Sequence, residues 1–224
     1  MYRILFIDEE QDDIEYFKDY IEAKDVSNSF EVIATYPSGN LVEMLDVIWS
    51  SHVDAIITDF MLNEIKENIK YNVPYNGVEL VREVLSRRED FPCFVMTAFD
   101  DDAVGESEDV NIVYIKGILH GTEKETKAKA NFLDRVKNQI LHYRAKLESA
   151  ENRLLELIKK SEKNELDAGE EEEMVHLDSL IEKSLDKESV VPKIIKEKKE
   201  SDSLSDLLNK VDLLTKRLGG DGEN

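Results

Sequence analysis

The chain holds 224 residues, 50 of them acidic and 29 basic, for a formal charge of -21. So negative a surface repels phosphate backbones and argues against non-specific nucleic-acid binding. A lone cysteine, Cys93, excludes an internal disulfide framework, and no apolar stretch approaches the roughly 18 residues a membrane span requires.

Met1 leads directly into a strand-like run, with no signal-peptide pattern, so the expectation is a soluble cytoplasmic protein. Arg3–Ile7 is a short apolar run that ends in Asp8, Glu9 and Glu10. Ile14, Phe17 and Ile21 recur at helical spacing and predict a helix over about 10–24. Phe30–Thr35 is the next strand, followed by a turn at Pro37-Ser-Gly39. Leu41, Met44, Leu45 and Ile48 mark a second helix. Ala55–Asp59 then reads as a strand buried on both faces, delivering one carboxylate at its end. After a long polar loop, Val78, Val81, Val84 and Leu85 give a third helix, and Cys93–Thr97 and Asn111–Ile115 two further strands. A short helix or loop is expected between those last two. Strands alternating with helices predict an α/β domain with a five-stranded parallel sheet.

From Thr122 the texture changes. Leu133, Val136, Ile140, Tyr143, Leu147, Ala150, Leu154 and Leu157 alternate spacings of three and four among charged residues. This predicts one long helix, over 123–165, whose later turns continue as a coiled-coil seam and need a partner helix or a second copy. Glu170–Glu173 reads as a solvated break, and 174–190 and 202–218 as further amphipathic pieces of an acidic, helical or partly disordered region over 166–224. Residues 151–224 carry 20 acidic and 13 basic residues and no DNA-binding motif, so nucleic acid is not an expected partner.

A parallel sheet brings the carboxyl ends of its strands to one edge, where open α/β sheets bind ligands. On 1–122 that edge would carry Asp8, Glu9, Asp59, Thr97 and Lys116. Three neighbouring carboxylates repel one another unless a cation neutralises them, and hard oxygen donors suit Mg²⁺. A lysine and a hydroxyl beside them are suited to phosphoryl oxygens, and a carboxylate can itself accept the phosphoryl group.

Those pieces, RILFIDEE, DAIITDF, PCFVMTAFD and IVYIKG in that order, resemble the receiver domains of two-component response regulators over about residues 1–145. The resemblance implies a flavodoxin-like, doubly wound fold and a phosphoprotein, not an enzyme with an external product. It makes Asp59 the phosphoacceptor, Asp8, Glu9, Asp59 and the Met61 backbone carbonyl the Mg²⁺ ligands, and Thr97 and Lys116 the groups that read the phosphoryl state. It implies a histidine kinase or phosphotransfer protein as donor. Output would run through dimerisation or a partner protein on the long helix. Two alternatives stand beside it: a constitutive coiled-coil scaffold with a vestigial receiver, and a Mg²⁺-dependent phosphatase or hydrolase. The latter wants a second Asp two residues after Asp59, where this chain has Met61.

The chain departs from the family pattern at several points. Glu9 stands where the second acid is usually Asp, and Gly117 where a proline usually follows the lysine. Val113 stands where an aromatic switch residue is usual, with Tyr114 one position on. The loop between Asp59 and Gly77 is longer than usual; its stretch Asn63–Tyr75 is a candidate partner-recognition loop or one with no role. Met61 and Phe99 near the acceptor would hinder an attacking water and prolong the phosphoryl group's life. His142 and His176 lie on expected helices without a phosphotransfer motif, and His52 and His120 read as loop residues.

Overall fold

The structure, a computed structural model, describes residues 1–63, 71–98, 112–118, 131–163 and 165–185. Five strands, β1 (Tyr2–Ile7), β2 (Phe30–Thr35), β3 (Ala55–Asp59), β4 (Cys93–Thr97) and β5 (Val113–Ile115), form one sheet in the order β2-β1-β3-β4-β5. Every adjacent pair is parallel. That is the flavodoxin-like order of doubly wound sheets.

Parallel strands need crossovers, and helices supply them. α1 (Gln11–Lys24), α2 (Leu41–Ser50) and α3 (Gly77–Arg87) lie between strands, and α4 (Phe132–Ser161) and α5 (Ala168–Leu185) follow the last one. The chain divides into two compact units after Tyr143, within α4.

In the first unit, strand alternation sorts the apolar residues onto two faces. Leu5, Ile7, Ile56, Cys93 and Val95 pack with Met44, Leu45 and Ile48 of α2 and Val78, Leu80, Val81 and Val84 of α3. Ile4, Phe6, Ala55, Ile57, Phe94 and Met96 pack with Ile14, Phe17 and Ile21 of α1 and Phe132, Leu133, Val136 and Ile140 of α4. All five residues of β3 and all five of β4 are buried, as central strands covered on both faces must be. Polar side chains set the helix starts. The Asn40 and Asn76 amide oxygens accept from the Glu43 and Glu79 N–H groups, and Glu79 returns a bond to Asn76 N–H, a complete capping box.

Asn131 and Asp134 form the same reciprocal pair ahead of α4. This helix therefore begins at Phe132, rather than running unbroken from 123, because Asn131 is its cap. β5 likewise begins at Val113, two residues after the start its sequence suggests.

In the second unit, Ala150, Leu154 and Ile158 of α4 pack with Ile181 of α5, with Leu155, Met174, Leu177 and Leu180 at the margin. The later turns of the seam thus find a partner helix in the same chain. Glu170–Glu173, expected to be a solvated break, lies in the first turns of α5. Negative charge is favoured at a helix N-terminus, and cations of α4 meet it. The Arg153 guanidinium bonds both Glu173 oxygens at 2.8 and 2.9 Å, and Lys160 donates to Glu170. Solvent screens ion pairs at a surface and leaves them little net stabilisation, so burial of the apolar seam carries the pairing. No helix among the described residues is long and apolar enough to cross a membrane.

Phe17 is fully buried and stacks on Phe6, ring centroids 4.2 Å apart. Phe17→Ala is expected to destabilise the first unit by about 3–5 kcal/mol through lost burial and a residual cavity. Denaturant unfolding measures it; a loss below about 1 kcal/mol would contradict this packing.

Candidate functional site

In the order β2-β1-β3, the chain leaves β1 on opposite sides, so the switch point lies at the carboxyl ends of β1 and β3. Asp8 follows β1 directly and Asp59 closes β3. Both are buried, with Asp8 at 0% exposure and Asp59 at 3%. Lys116, entering from the end of β5, carries its ammonium between them: Nζ is 3.0 Å from Asp8 Oδ2 and 2.8 Å from Asp59 Oδ1. It also donates a hydrogen bond to Asp13 of α1.

The backbone completes the cradle. Glu10 N–H donates to Asp8 Oδ1 at 2.9 Å, and Met61 N–H to Asp59 Oδ2 at 2.7 Å. Asp8 Oδ2 has its ion pair with Lys116 but no aligned hydrogen bond, and the buried Glu9 Oε2 has no hydrogen-bond partner. Orphaned carboxylate oxygens in a buried site are costly unless something fills them.

The titration behaviour follows. Burial above all, with the Asp59 charge adding, pushes Asp8 up to about 7 against the pull of Lys116 and the Glu10 N–H. Burial and the charges of Asp59 and Asp8 push Glu9 up to about 8. Asp59 is also raised, burial outweighing Lys116 and the Met61 and Phe60 N–H groups. For Lys116, burial opposes the charged form, but the Asp59 and Asp8 charges and the bonds to Asp13 and Asp59 outweigh it, and the net shift is upward. The ammonium is therefore fixed, while the acids around it are only partly compensated.

Thr97 is buried at the end of β4, one residue beyond Met96, which is the register partner of Asp59. Phe99 and His120 lie outside the described residues. Tyr114 packs against Phe94 and Phe132, ring centroids 5.9 and 4.8 Å away, whereas Val113 joins the core on the other face. The one-residue displacement thus puts the aromatic on the opposite side of the sheet from the usual switch position.

Sequence reasoning missed two participants. Asp13 is one; its only sequence signal is a carboxylate in the first turn of the helix that follows Asp8 and Glu9. Gly77 is the other. A Cβ there would sit 2.0 Å from the Asp59 carbonyl oxygen, and the Gly77 N–H donates to Phe60 O at 2.9 Å. The start of α3 thus presses on the backbone of Asp59, a contact made in three dimensions and hidden from sequence.

The donor set fits a hard cation in chemistry: Asp8, Glu9 and Asp59 supply carboxylate oxygens, and the buried Glu9 Oε2 has no hydrogen-bond partner. Among the described residues no three acids or histidines converge as a ready-made cage. Mg²⁺ needs none, since it usually keeps several waters and takes one or two carboxylates.

The strand order and the acidic carboxyl edge decide the comparison with known architectures. The fold is flavodoxin-like, with strand order β2-β1-β3-β4-β5. A solved structure titled "Conformational dynamism for DNA interaction in Salmonella typhimurium RcsB response regulator" is similar at 9% identity, covering 87% of this chain and 98% of that one, with a TM-score of 0.39. At that score the fold assignment rests on strand order rather than on the likeness. No protein-family model and no curated protein matches the chain.

Two predictions arise from the geometry. Folded Asp8 and Glu9 hold protons that the unfolded chain, at the ordinary 3.8 and 4.5, has already released. Stability should therefore fall as pH rises from about 4 to about 8. In metal-free buffer at pH 8, Asp8→Asn should be the more stable protein by on the order of 2–4 kcal/mol, the gap closing towards pH 5. Chemical denaturation at both pH values tests this, and a gap independent of pH would refute it. Gly77→Ala should cost about 1–3 kcal/mol by overpacking against immobile backbone, and shift the amide resonances of Asp59 to Met61. Unchanged resonances would show that α3 does not position Asp59.

Proposed function

We propose that the first unit is a phosphoryl-accepting receiver and that Asp59 is its acceptor. The observation that carries the reading is the Lys116 ammonium held between Asp8 and Asp59 at the switch point of the sheet. A lysine in that place serves a group that gains negative charge on Asp59.

In this reading an Asp59 oxygen forms a bond to phosphorus while the bond from phosphorus to the donor breaks, and the donor leaves with the electron pair. When the donor is a histidine kinase or phosphotransfer protein, the departing group is an imidazole nitrogen. Met61 N–H fixes the plane of the Asp59 carboxylate, and Lys116 compensates the charge arriving on the phosphoryl oxygens. The Thr97 hydroxyl at the neighbouring strand end is the group that closes on the phosphoryl group afterwards. Asp8, Glu9, Asp59 and the Met61 carbonyl would hold Mg²⁺, which when bound supplies charge neutralisation between carboxylates and phosphoryl oxygens. The reaction modifies the protein itself, so it is a switch and not an enzyme with an external product.

Output in this reading is protein–protein interaction. The net charge of -21 disfavours nucleic acid, and α4 leads directly from the receiver core into the second unit. The seam on its later turns is covered by α5. The place proposed for the protein is the cytoplasm, with its kinase.

Intact-mass spectrometry after incubation with Mg²⁺ and a small-molecule phosphodonor tests the reading. One phosphoryl group should be added to the native chain, none to Asp59→Asn, and none to the native chain in excess chelator. Absence of any adduct on the folded native chain would leave a scaffold with a vestigial receiver. Turnover of the donor without an adduct would point to a phosphatase.

A further inference from the structure

Asp13 has no part in the reaction just described, yet its side chain is aimed at the same ammonium. In the first turn of α1, Gln11 and Asp12 are exposed, while the Asp13 side chain is only 16% exposed. Its Oδ2 accepts a hydrogen bond from Lys116, a residue 103 positions away in sequence. Lys116 therefore stands among Asp8, Asp59 and Asp13. An ammonium has three N–H donors and no more. Asp13 and Asp59 hold it closely, while Asp8 Oδ2 faces it at 3.0 Å as an ion pair without an aligned hydrogen bond.

A phosphoryl oxygen arriving on Asp59 must share the Lys116 ammonium with these carboxylates. Asp59 is the group being modified, and Asp8 has the Glu10 N–H as a second partner. Asp13 is the carboxylate whose hold on Lys116 works against that closure alone.

We propose that Asp13 is a positioning residue that competes with the phosphoryl group for Lys116 and so sets how readily the site closes on it. The proposal rests on the receiver reading of Asp59. Asp13 touches neither donor nor phosphorus in this scheme; it acts through the lysine. Its carboxylate restrains Lys116 until a stronger anion arrives, which raises the threshold for the closed state.

The test reads the lysine directly. The Lys116 ε-methylene resonance is followed by NMR, assigned by its loss in Lys116→Arg, as beryllium fluoride is added stepwise to the full chain with Mg²⁺. The proteins compared are the native chain, Asp13→Asn, Asp13→Glu and Asp12→Asn. Asp13→Asn should reach its midpoint at about tenfold lower probe concentration, the size of one charge-assisted hydrogen bond. Asp13→Glu should return the midpoint towards native. Asp12→Asn removes the same charge one residue away and should leave it in place. Asp13→Asn responding like native, or Asp12→Asn shifting as far as Asp13→Asn, would overturn the role of Asp13 while leaving the receiver reading standing. No movement of Lys116 in the native chain or any folded variant would overturn both.

Discussion

Too little positive charge is buried at the carboxyl edge of the sheet, and the rest of the site depends on that shortage. Asp8, Asp59 and Asp13 gather around the ammonium of Lys116, with the buried Glu9 beside Asp8. Buried ions that are incompletely compensated are costly, and a fold selected for stability alone would have placed neutral side chains here. The hydrophobic layers on both faces of the sheet hold the arrangement in place. β1 and β3 are central strands with no freedom to splay, so their terminal carboxylates cannot relax apart. The scaffold stores a demand for positive charge that an incoming cation can answer.

The sequence carried the layout better than the contacts. Short apolar runs ending in Asp8, Asp59, Thr97 and Lys116 were legible because a parallel sheet forces strand ends to one edge, so order alone places them together. The buried strand β3 announced itself by the same logic. Asp13 was illegible because its role depends on a lysine more than a hundred positions away, and no local spacing encodes that. Gly77 looked like an ordinary residue at a helix start, and only the proximity of the Asp59 carbonyl gives it meaning. The cap at the start of α4 was not read because residues 123–130 hold no proline or glycine to mark a stop, whereas Asn131 and Asp134 set the start with two hydrogen bonds.

The seam on α4 shows how one sequence pattern serves two kinds of packing. Its early positions, Phe132 to Ile140, close one face of the sheet. Its later ones, Ala150 to Ile158, pair with α5. A heptad-like spacing records only that one side of a helix is dry; what keeps it dry must come from the rest of the chain. Here the acidic stretch that looked like an interruption begins the covering helix, because its glutamates can meet Arg153 and Lys160.

The long connection after β3 is fastened at both margins. Leu62 is fully buried, Tyr71 donates its hydroxyl hydrogen to Pro37 O at 2.7 Å, and Tyr75 does the same to Ser38 O at 2.8 Å. Val73 and Tyr75 are themselves part of the core. Two phenol anchors on consecutive carbonyls of the β2–α2 turn make the margins of this loop a frame. Losing either hydroxyl would therefore loosen the β2–α2 turn and the margin of this connection together.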